Sequence, residues 1–507
     1  MLTELYGGSL ALLTDLYQLT MAEGFWKSGL DRHEAVFHLY FRKNPFAGGF
    51  ALSAGLELAA EYLERLRFTE DDLAYLAGLP GAGRKEIRPA GTCGTSDTAG
   101  DGRPLFAAGF LERLGRLSLS VDLDAIPEGT AVFAPEPLLR VRGPLLECQL
   151  LETALLNIMN FQTLIATKAA RVALAAQGAP VLEFGLRRAQ GIDGGVGASR
   201  AAYIGGCAAT SNVLAGKLLG IPVRGTHAHS WVMAFADEFE AFLAYAQAVP
   251  GDCVFLVDTY DSLEGVRHAI EAGRRLRKRG RRLAGIRLDS GDLAALSQEA
   301  RRLLDEAGFA ETFIAASDDL DEDRIAGLLE KGARIGVWGV GTRLVTGDGQ
   351  PALGGVYKLC AIRPPGGAWR DVVKNSGEGG KASFPGMLQV RRFREGGSPS
   401  CDMIYDARQP VAEGTCSVDL QDGSRRTVPD SGWEDLLVPV FRAGRRVRPA
   451  ESLAVMRERA RARLAALPPG ARRRSGAQRY PVGLESGLHE RRVALLNGLA
   501  DGASRIR

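Results

Sequence analysis

The sequence predicts an α/β fold in which an irregular (β/α) barrel is flanked by an N-terminal α/β domain and a small C-terminal extension. From residue 181 to residue 339, apolar segments of strand length alternate with helical segments about every 30 residues, the length of a βα unit. Successive βα units build a parallel sheet, and a closed barrel is one arrangement of such a sheet. The length of 507 residues exceeds one ordinary core and implies two or three domains.

The repeat assigns each element in turn. The predicted strands of the barrel are residues 181–184, 253–257, 283–288, 313–316 and 335–339. The predicted helices are residues 198–219, 262–280, 290–308 and 321–332, with Ser262 as the N-cap of the second. Shorter strands are predicted before the barrel, at residues 35–41, 130–133 and 138–141. We therefore expect an N-terminal domain over residues 1–145, a barrel over 146–386, and a C-terminal region over 387–507 that packs on both.

Composition excludes several classes of protein. Hydrophobic residues make up 46% and charged residues 24%, as in a globular protein, and 63 Lys and Arg against 60 Asp and Glu leave a net charge of +3. So small a charge gives no general attraction to nucleic acid or membranes. No apolar run reaches the roughly 20 residues of a bilayer span, and the first residues lack a signal-peptide pattern, so a cytoplasmic protein is expected.

The seven cysteines are scattered through the chain without a Cys-x-x-Cys pair. An odd number in a long chain argues against a disulfide framework. The six histidines do not cluster with the cysteines, so a structural zinc site is not expected either. Chemistry must therefore come from other residue types.

The most informative segment for function is residues 183–231. A strand ends in Glu-Phe-Gly-Leu-Arg-Arg, which places Phe184 beside Arg187 and Arg188, and the next unit carries His227 and His229 in a loop. Arginine binds carboxylate and phosphate through a planar fork, and a neutral imidazole can accept a phosphoryl group near pH 7. The pattern predicts an anion site with a nucleophile nearby. It leaves open which of the two arginines contacts the anion.

Aspartates and glycines follow the other predicted strands. Asp258, Asp289, Asp318 and the Gly339-Val-Gly341 segment all lie at carboxyl ends, which converge on the mouth of a barrel, where active sites of this fold lie. Helix N-capping is the alternative for each aspartate, an even possibility for Asp318. It explains Asp289 less well, because Arg287 lies two residues earlier on the same face of the strand.

Six motifs in order resemble nicotinate phosphoribosyltransferase, of the type II phosphoribosyltransferase kind. They cover the chain from about residue 10 to residue 386 and comprise residues 14–18, 41–49, 157–168, 183–231, 287–292 and 339–342. The resemblance implies an ATP-coupled enzyme of NAD salvage that makes nicotinate mononucleotide and pyrophosphate from nicotinate and phosphoribosyl pyrophosphate. It also implies Mg²⁺, a phosphohistidine intermediate, and a homodimer with shared active sites.

The same resemblance assigns roles to single residues. His229 would be the phosphorylated histidine, with Arg287 and Asp289 near the ribose. Phe184 and the Tyr17 of a neighbouring protomer would sandwich the nicotinate ring. The resemblance also implies contacts of Arg187 and Thr226 with substrate, and of Ser317 and Asp318 with ribose and phosphate. The 5-phosphate would be bound by Gly339, Gly341 and Thr342, and other phosphates by Arg42 and Lys43 across the subunit boundary. Mg²⁺ would be held through water by Asp258 and Asp261.

Two alternative functions remain open at this point. A nicotinamide phosphoribosyltransferase would want an aspartate where this chain has Ser211, since a carboxylate there would repel an acid substrate. A catalytically silent nucleotide-binding barrel could keep the same residues. Outside the motifs, the Gly-rich segment 81–102 is expected to be a disordered insertion rather than an active-site flap. The Arg/Ala-rich helix predicted over 452–467, which precedes the basic residues 472–474, is expected to be a solvated outer face rather than a nucleic-acid site.

Overall fold

The computed structural model describes residues 1, 5–81, 103–249, 251, 253–375, 382–412, 414–429 and 432–504, with side chains to residue 499. The predicted insertion at 81–102 lies outside the described residues except for Gly81. The chain forms a mixed α/β fold with three larger sheets and a two-stranded ribbon of Ala51–Leu52 with Ala131–Val132. The predicted fold class is confirmed, as is the parallel arrangement of its central sheet.

The central sheet has six strands, all parallel, and its helices follow the strands in sequence. In hydrogen-bonded order the strands are Ala209–Thr210, Val181–Glu183, Val337–Val340, Phe313–Ala316, Leu283–Leu288 and Cys253–Leu256. Residues 222–227 cross between the two edge strands: the amide of Thr210 donates to the Pro222 carbonyl, and that of Leu256 donates to His227 Nε2 at 3.2 Å. The sheet is thus a half-barrel whose open side holds the histidine loop.

Helix boundaries depart from the sequence prediction at two places. The helix predicted over 198–219 is two helices, Ile192–Gly205 and Val213–Leu219, with the edge strand between them. Gly206 ends the first helix with φ of +122°, a conformation that favours glycine. Asp261, and not Ser262, caps helix Ser262–Lys278, because its Oδ1 accepts from the amides of the helix's second and third residues.

The remaining helices lie on both sides of the sheets and at the chain ends. They are Leu16–Lys27, Leu56–Arg65, Glu70–Ala77, Ala108–Gly115, Leu145–Leu150, Glu152–Ala175, His229–Met233, Glu238–Ala248, Leu293–Glu306, Glu322–Glu330, Thr342–Val345, Leu453–Ala466 and Ser486–Ser504, with 3-10 turns at Pro45–Ala47 and Leu186–Arg188. Within the described residues, no helix combines the length and apolar character needed to cross a membrane.

An antiparallel sheet of seven strands joins distant parts of the chain. Its order is Arg370–Asp371, Gly355–Arg363, Glu34–Phe41, Pro137–Pro144, Asp122–Ala125, Val438–Arg442 and Arg445–Arg446. The sheet therefore contains strands from the predicted N-terminal domain, from the end of the predicted barrel region and from the C-terminal region. The three predicted regions thus share this sheet.

A third sheet is built by the C-terminal region. Its strands in order are Arg425–Thr427, Cys416–Asp419, Val482–Glu485, Ser398–Asp406, Leu388–Glu395 and Trp433–Asp435. Arg392 is fully buried here and donates to both oxygens of Asp402. An ion pair so buried costs much desolvation, which its hydrogen bonds must offset.

Helix Glu152–Ala175 separates the two main cores. Fifteen of its 24 residues are buried, and its apolar side chains belong partly to the core under the antiparallel sheet and partly to the core of the half-barrel. It packs so closely on helix Ile192–Gly205 that a Cβ added at Gly205 would lie 2.4 Å from the carbonyl oxygen of Ala166. This contact positions the half-barrel against the N-terminal layer.

Candidate active site

Arg287 is the centre of a polar cluster at the carboxyl ends of the barrel strands. Its Nε donates to Ser317 Oγ at 2.7 Å, one terminal nitrogen donates to Thr226 Oγ1 at 3.1 Å, and the other donates to Asp289 Oδ1 at 2.8 Å. The Ser317 hydroxyl also donates to Asp289. Two neighbouring strands and the histidine loop thus fix one guanidinium in a single orientation. The predicted same-face contact of Arg287 with Asp289 is present.

The carboxylate of Asp289 remains ionised in this cluster. Burial opposes its ionisation, but the charge of Arg287 and hydrogen bonds from Ser317 and Arg287 hold the pKa of Asp289 below its ordinary value. Its backbone amide donates to Asp258 Oδ2 at 2.8 Å, and the hydroxyl of Ser290 donates to the same oxygen at 2.7 Å. Asp258 therefore supports the turn that carries Asp289.

The two histidines predicted in one loop have different environments: His227 lies in the loop, and His229 is the first residue of helix His229–Met233. His229 has 40% of its side chain exposed, its Nε2 lies 3.7 Å from Asp289 Oδ2, and its Nδ1 lies 3.2 Å from Thr259 Oγ1. His227 is only 7% exposed and packs among Phe242, Tyr245 and Phe255. Burial lowers the pKa of His227 to about 4, so it stays neutral at physiological pH. His229 is the histidine that a reactant could reach.

Phe184 lies between the cluster and the glycine segment. The Arg287 guanidinium carbon is 5.7 Å from the centre of the Phe184 ring, and the Phe184 amide donates to the Val340 carbonyl at 2.8 Å. A Cβ added at Gly339 would lie 2.8 Å from two ring atoms of Phe184, tighter than real contacts allow. Glycine at 339 is therefore required by the position of this ring.

The predicted phosphate segment lies beside Phe184. Gly341 precedes the short helix Thr342–Val345 and approaches the Phe184 backbone, since a Cβ added there would lie 3.3 Å from that residue's carbonyl oxygen. Arg343, one residue beyond Thr342, pairs with Asp319 at 2.9 Å and with Asp321 at 2.8 Å. The segment therefore joins the strand ends of the 181–184 and 313–318 units.

Asp318 does not cap the following helix. Asp321 is the N-cap and accepts from the amide of Arg324 at 2.8 Å, whereas Asp318 has φ of +122° and pairs with the Arg324 guanidinium at 2.6 Å. A non-glycine residue in that conformation is strained, and such strain is found mostly at functional sites. The capping alternative for Asp318 is thus wrong, and its role toward ribose stays a prediction.

Arg187 and Arg188 lie in the exposed 3-10 turn Leu186–Arg188. Neither makes an ion pair within the described structure. Ser211 lies just after the edge strand, where its amide donates to the carbonyl of Glu183 at 2.9 Å. Both the arginine turn and Ser211 therefore border the same strand end as Phe184, but the choice between the two arginines stays open.

Other predicted residues lie apart from the Arg287 cluster. Arg42 and Lys43 follow strand Glu34–Phe41. Burial and the positive charges of Lys374 and Arg42 lower the pKa of Lys358, which lies nearby. Positively charged side chains therefore gather at this strand end. Tyr17 is on the first turn of helix Leu16–Lys27, 49% exposed. No contact in the described part of the chain links it to the cluster. Within one protomer these residues do not complete the site.

Sequence analysis missed Thr259 and Ser290 as members of the site. Each follows an aspartate at a strand end, where a hydroxyl has no distinctive pattern in the sequence. Their contacts, with His229 Nδ1 and Asp258 Oδ2, join residues about thirty positions apart. Only the assembled barrel mouth reveals them.

Asp258 and Asp261 are the predicted holders of a divalent cation. Among the described residues, no three His, Cys, Asp or Glu side chains group as a metal site. Asp258 Oδ1 is nonetheless buried without a hydrogen-bond partner in the described structure, and Asp261 is exposed although its Oδ1 caps a helix. Mg²⁺ keeps several waters and takes one or two carboxylates plus substrate phosphates. The unpartnered Oδ1 of Asp258 and the exposed carboxylate of Asp261 are each suited to a water-mediated contact with Mg²⁺ that arrives with a polyphosphate.

The half-barrel and the cluster at its mouth define an enzyme of the type II phosphoribosyltransferase class. The crystal structure of human nicotinic acid phosphoribosyltransferase superposes with a TM-score of 0.78 at 33% identity, covering 95% of this chain and 99% of that chain. The chain belongs to the nicotinate phosphoribosyltransferase family, an enzyme family of glycosyl transfer. A nicotinate-nucleotide pyrophosphorylase from Pyrococcus furiosus shares the fold, with a TM-score of 0.66 at 21% identity.

Comparisons of sequence support the family assignment along the chain. Models of the nicotinate phosphoribosyltransferase N-terminal domain, family and C-terminal domain match residues 12–160, 181–366 and 389–492. The chain is 49% identical over 386 residues to nicotinate phosphoribosyltransferase of Bacillus subtilis (strain 168), covering 76% of this chain and 73% of the relative. It is 36% identical to that of Homo sapiens, with 97% of each covered.

Proposed function

We propose that this enzyme makes nicotinate mononucleotide and pyrophosphate from nicotinate and phosphoribosyl pyrophosphate in NAD salvage, coupled to ATP through a phosphohistidine. The observation that carries the proposal is the Arg287 cluster. It brings several groups together at the strand ends, beside the ring of Phe184. These groups are the ionised carboxylate of Asp289, the guanidinium of Arg287, the hydroxyls of Ser317 and Thr226, and the accessible imidazole of His229.

The transfer requires a site that favours a ribosyl cation. As the bond from the anomeric carbon to pyrophosphate breaks, positive charge develops on the ribose, and a nearby carboxylate stabilises it. Asp289 would do this while Arg287 keeps it in place. Bound Mg²⁺, held through water by Asp258 and Asp261, would neutralise the leaving pyrophosphate.

His229 is suited to accept the phosphoryl group of ATP. The ionised Asp289 favours the tautomer with the proton on Nε2, so Nδ1 keeps its lone pair, as in histidines oriented by a carboxylate. Nδ1 would attack the γ-phosphorus, the bond to the bridging oxygen would break, and ADP would leave. Asp289 would then stabilise the positive imidazole ring. Water would later hydrolyse the phosphohistidine as product is released.

Nicotinate is favoured over nicotinamide by the residues beside Phe184. Ser211 brings no carboxylate to this strand end, and the Arg187 turn supplies positive charge for an acid substrate. Phe184 would stack on the pyridine ring, with Gly339, Gly341 and Thr342 beside the 5-phosphate. A silent nucleotide-binding barrel would not need a reachable histidine next to Asp289.

The assay that tests this proposal measures nicotinate mononucleotide with and without ATP, with nicotinamide as the competing substrate. We expect product from nicotinate, because Ser211 stands where a nicotinamide enzyme would want a carboxylate. We expect ATP to accelerate the reaction through His229. Equal or faster product formation from nicotinamide would contradict the substrate assignment. Absence of product from either base, in folded protein with Mg²⁺, would instead favour the silent barrel.

Substituting Gly339 should test the ring position directly. Gly339→Ala forces its Cβ toward the Phe184 ring, so we expect the KM for nicotinate to rise about tenfold, equivalent to roughly 1.4 kcal/mol. Steady-state kinetics at saturating phosphoribosyl pyrophosphate give this value. Gly327→Ala is the control, because a Cβ added at this helix position has no atom within 4 Å, and it should change neither KM nor kcat. Equal effects of both variants would show that the Phe184 contact does not matter.

A homodimer with shared sites would bring Tyr17 to a neighbour's cluster. Exposed apolar side chains support an interface, since contiguous apolar surface marks protein contacts. They lie on or just before helix Leu16–Lys27 and at the barrel mouth: Leu13, Leu16, Tyr17, Met21, Leu186, Ile192, Val213, Leu214 and Val223. The Arg42 and Lys43 turn would reach the phosphates from the same neighbour.

Mixing two variants that each lack ATP-stimulated activity should restore that activity. Tyr17→Ala and His229→Ala each damage both sites of a homodimer, but a mixed dimer keeps one intact site. After random exchange of equal amounts, we expect about a quarter of wild-type activity, because half the dimers are mixed and each has one working site. Exchange is verified with differently tagged subunits. No recovery after proven exchange would contradict the shared site.

A further inference from the structure

A cavity lined by three helices lies away from the Arg287 cluster. It has a volume of about 290 Å³ and lies where helix Leu453–Ala466 crosses the ends of helices Glu152–Ala175 and Ile192–Gly205. Helix Ile192–Gly205 begins beside the Leu186 turn, and fourteen residues of helix carry the chain about 20 Å to the cavity. The cavity is therefore separate from the proposed catalytic site.

The cavity combines an apolar floor with a cationic rim. The floor consists of small and aliphatic side chains, including Ala170, Leu174, Ile204 and Leu464. The rim contains Arg457, Arg461 and Arg472, against the carboxylate of Glu458. Arg461 already engages Glu458 at 2.6 Å and 2.9 Å. Arg461 is therefore paired with Glu458, and the charge of Arg457 also acts on this carboxylate, without an ion pair.

Arg457 and Arg472 lack carboxylate partners within the described residues. Arg457 donates one bond, to the Gly206 carbonyl at 3.2 Å, and lies 5.0 Å from the centre of the Tyr203 ring. The Nε atoms of both arginines are buried and have no hydrogen-bond partner in the described structure. A buried N–H without a partner is unfavourable, and an oxygen of a ligand would satisfy it.

We propose that this cavity binds a small anion with an apolar body and one carboxylate or phosphate head group. The guanidinium fork matches both head groups, and the apolar floor would cover an acyl chain or an aromatic ring. Arg472 also lines an adjoining cavity of about 120 Å³ with Arg171 and Arg474. Arg171 is bound to Glu322 and Arg474 to Asp323, so the head group belongs at Arg472.

Titration calorimetry on the full chain tests the site, with octanoate and phenyl phosphate as probes and octylamine as the cationic counterpart. We expect at least one anion to bind with a Kd below about 1 mM and octylamine not to bind. Arg472→Gln removes the charge, and Ala465→Trp obstructs the mouth from an exposed position. Each should weaken binding about tenfold. Arg473→Gln, an exposed neighbour outside the lining, should leave Kd unchanged.

The outcomes separate the ligand sources and decide the proposal. Binding of octanoate alone identifies an acyl carboxylate, and binding of phenyl phosphate alone an aromatic phosphate. Failure of both anions to bind wild-type protein would overturn the proposal. So would binding that is insensitive to Arg472→Gln and Ala465→Trp, or equally sensitive to Arg473→Gln. Ala465 is exposed, so we expect Ala465→Trp to remain folded. This variant therefore decides the proposal even if Arg472→Gln is unstable.

Discussion

His229→Asn is expected to abolish phosphoenzyme formation while a slow transfer without ATP remains. The substitution removes the accessible imidazole of the His227 and His229 pair, since the His227 side chain is 7% exposed and packs among aromatic rings. Ribosyl transfer itself depends on Asp289 and the phosphate contacts, which the substitution leaves in place. Incubation with γ-labelled ATP, followed by a test for acid-labile, base-stable label, measures the first effect, and rates with and without ATP measure the second.

His227→Ala is the matched control. It should keep the label and the stimulation by ATP, although it removes an aromatic contact and the acceptor of the Leu256 amide, and so lowers stability. Full labelling of the His229 variant together with loss in a folded His227 variant would identify the other imidazole as the nucleophile.

Arg287→Lys is expected to reduce kcat/KM about a thousandfold, which corresponds to roughly 4 kcal/mol of transition-state stabilisation. Lysine keeps the charge but cannot bond Ser317, Thr226 and Asp289 at once, as the guanidinium does. The loss should appear mainly in kcat, because the substitution leaves Asp289 misplaced when charge develops on the ribose. Steady-state kinetics with varied phosphoribosyl pyrophosphate separate kcat from KM.

Arg301→Lys controls for the general effect of losing a guanidinium. Arg301 also bridges three groups, the carbonyls of Thr312 and Phe309 and the carboxylate of Asp305, but does so from helix Leu293–Glu306. We expect its kcat/KM to change less than about twofold, as for substitutions remote from the reacting groups. Similar losses in both variants would mean that Arg287 acts only on folding.

Much of the fold could be predicted because the barrel repeats one unit. Alternating apolar and amphipathic segments identify strands and helices locally, and Asp292 and Asp321 begin their helices near the predicted positions. Predictions failed where a local signal had two interpretations. Residues 198–219 have helical composition throughout, but Gly205 and Gly206 allow the chain to turn into an edge strand.

The site was predictable where its residues are close in sequence. Arg287 lies in strand Leu283–Leu288 and Asp289 directly follows it, two residues after Arg287. Side chains two residues apart on a strand share one face, so their contact could be predicted. Contacts across thirty residues, such as Thr259 with His229, depend on the order of strands, which local patterns do not determine. The positive φ of Asp318 is also set by tertiary contacts, here with Arg324.

The seven-stranded antiparallel sheet has a consequence for biosynthesis. Arg442 donates to the carbonyl of Leu123, 319 positions away. During synthesis, strand Asp122–Ala125 therefore keeps one unpaired edge until its partner strand Val438–Arg442 has left the ribosome. Pairing so distant in sequence slows folding, and an unpaired edge invites association with other chains. A nascent chain halted before residue 438 would lack strand Val438–Arg442 and would leave that edge of strand Asp122–Ala125 unpaired, open to association with other chains.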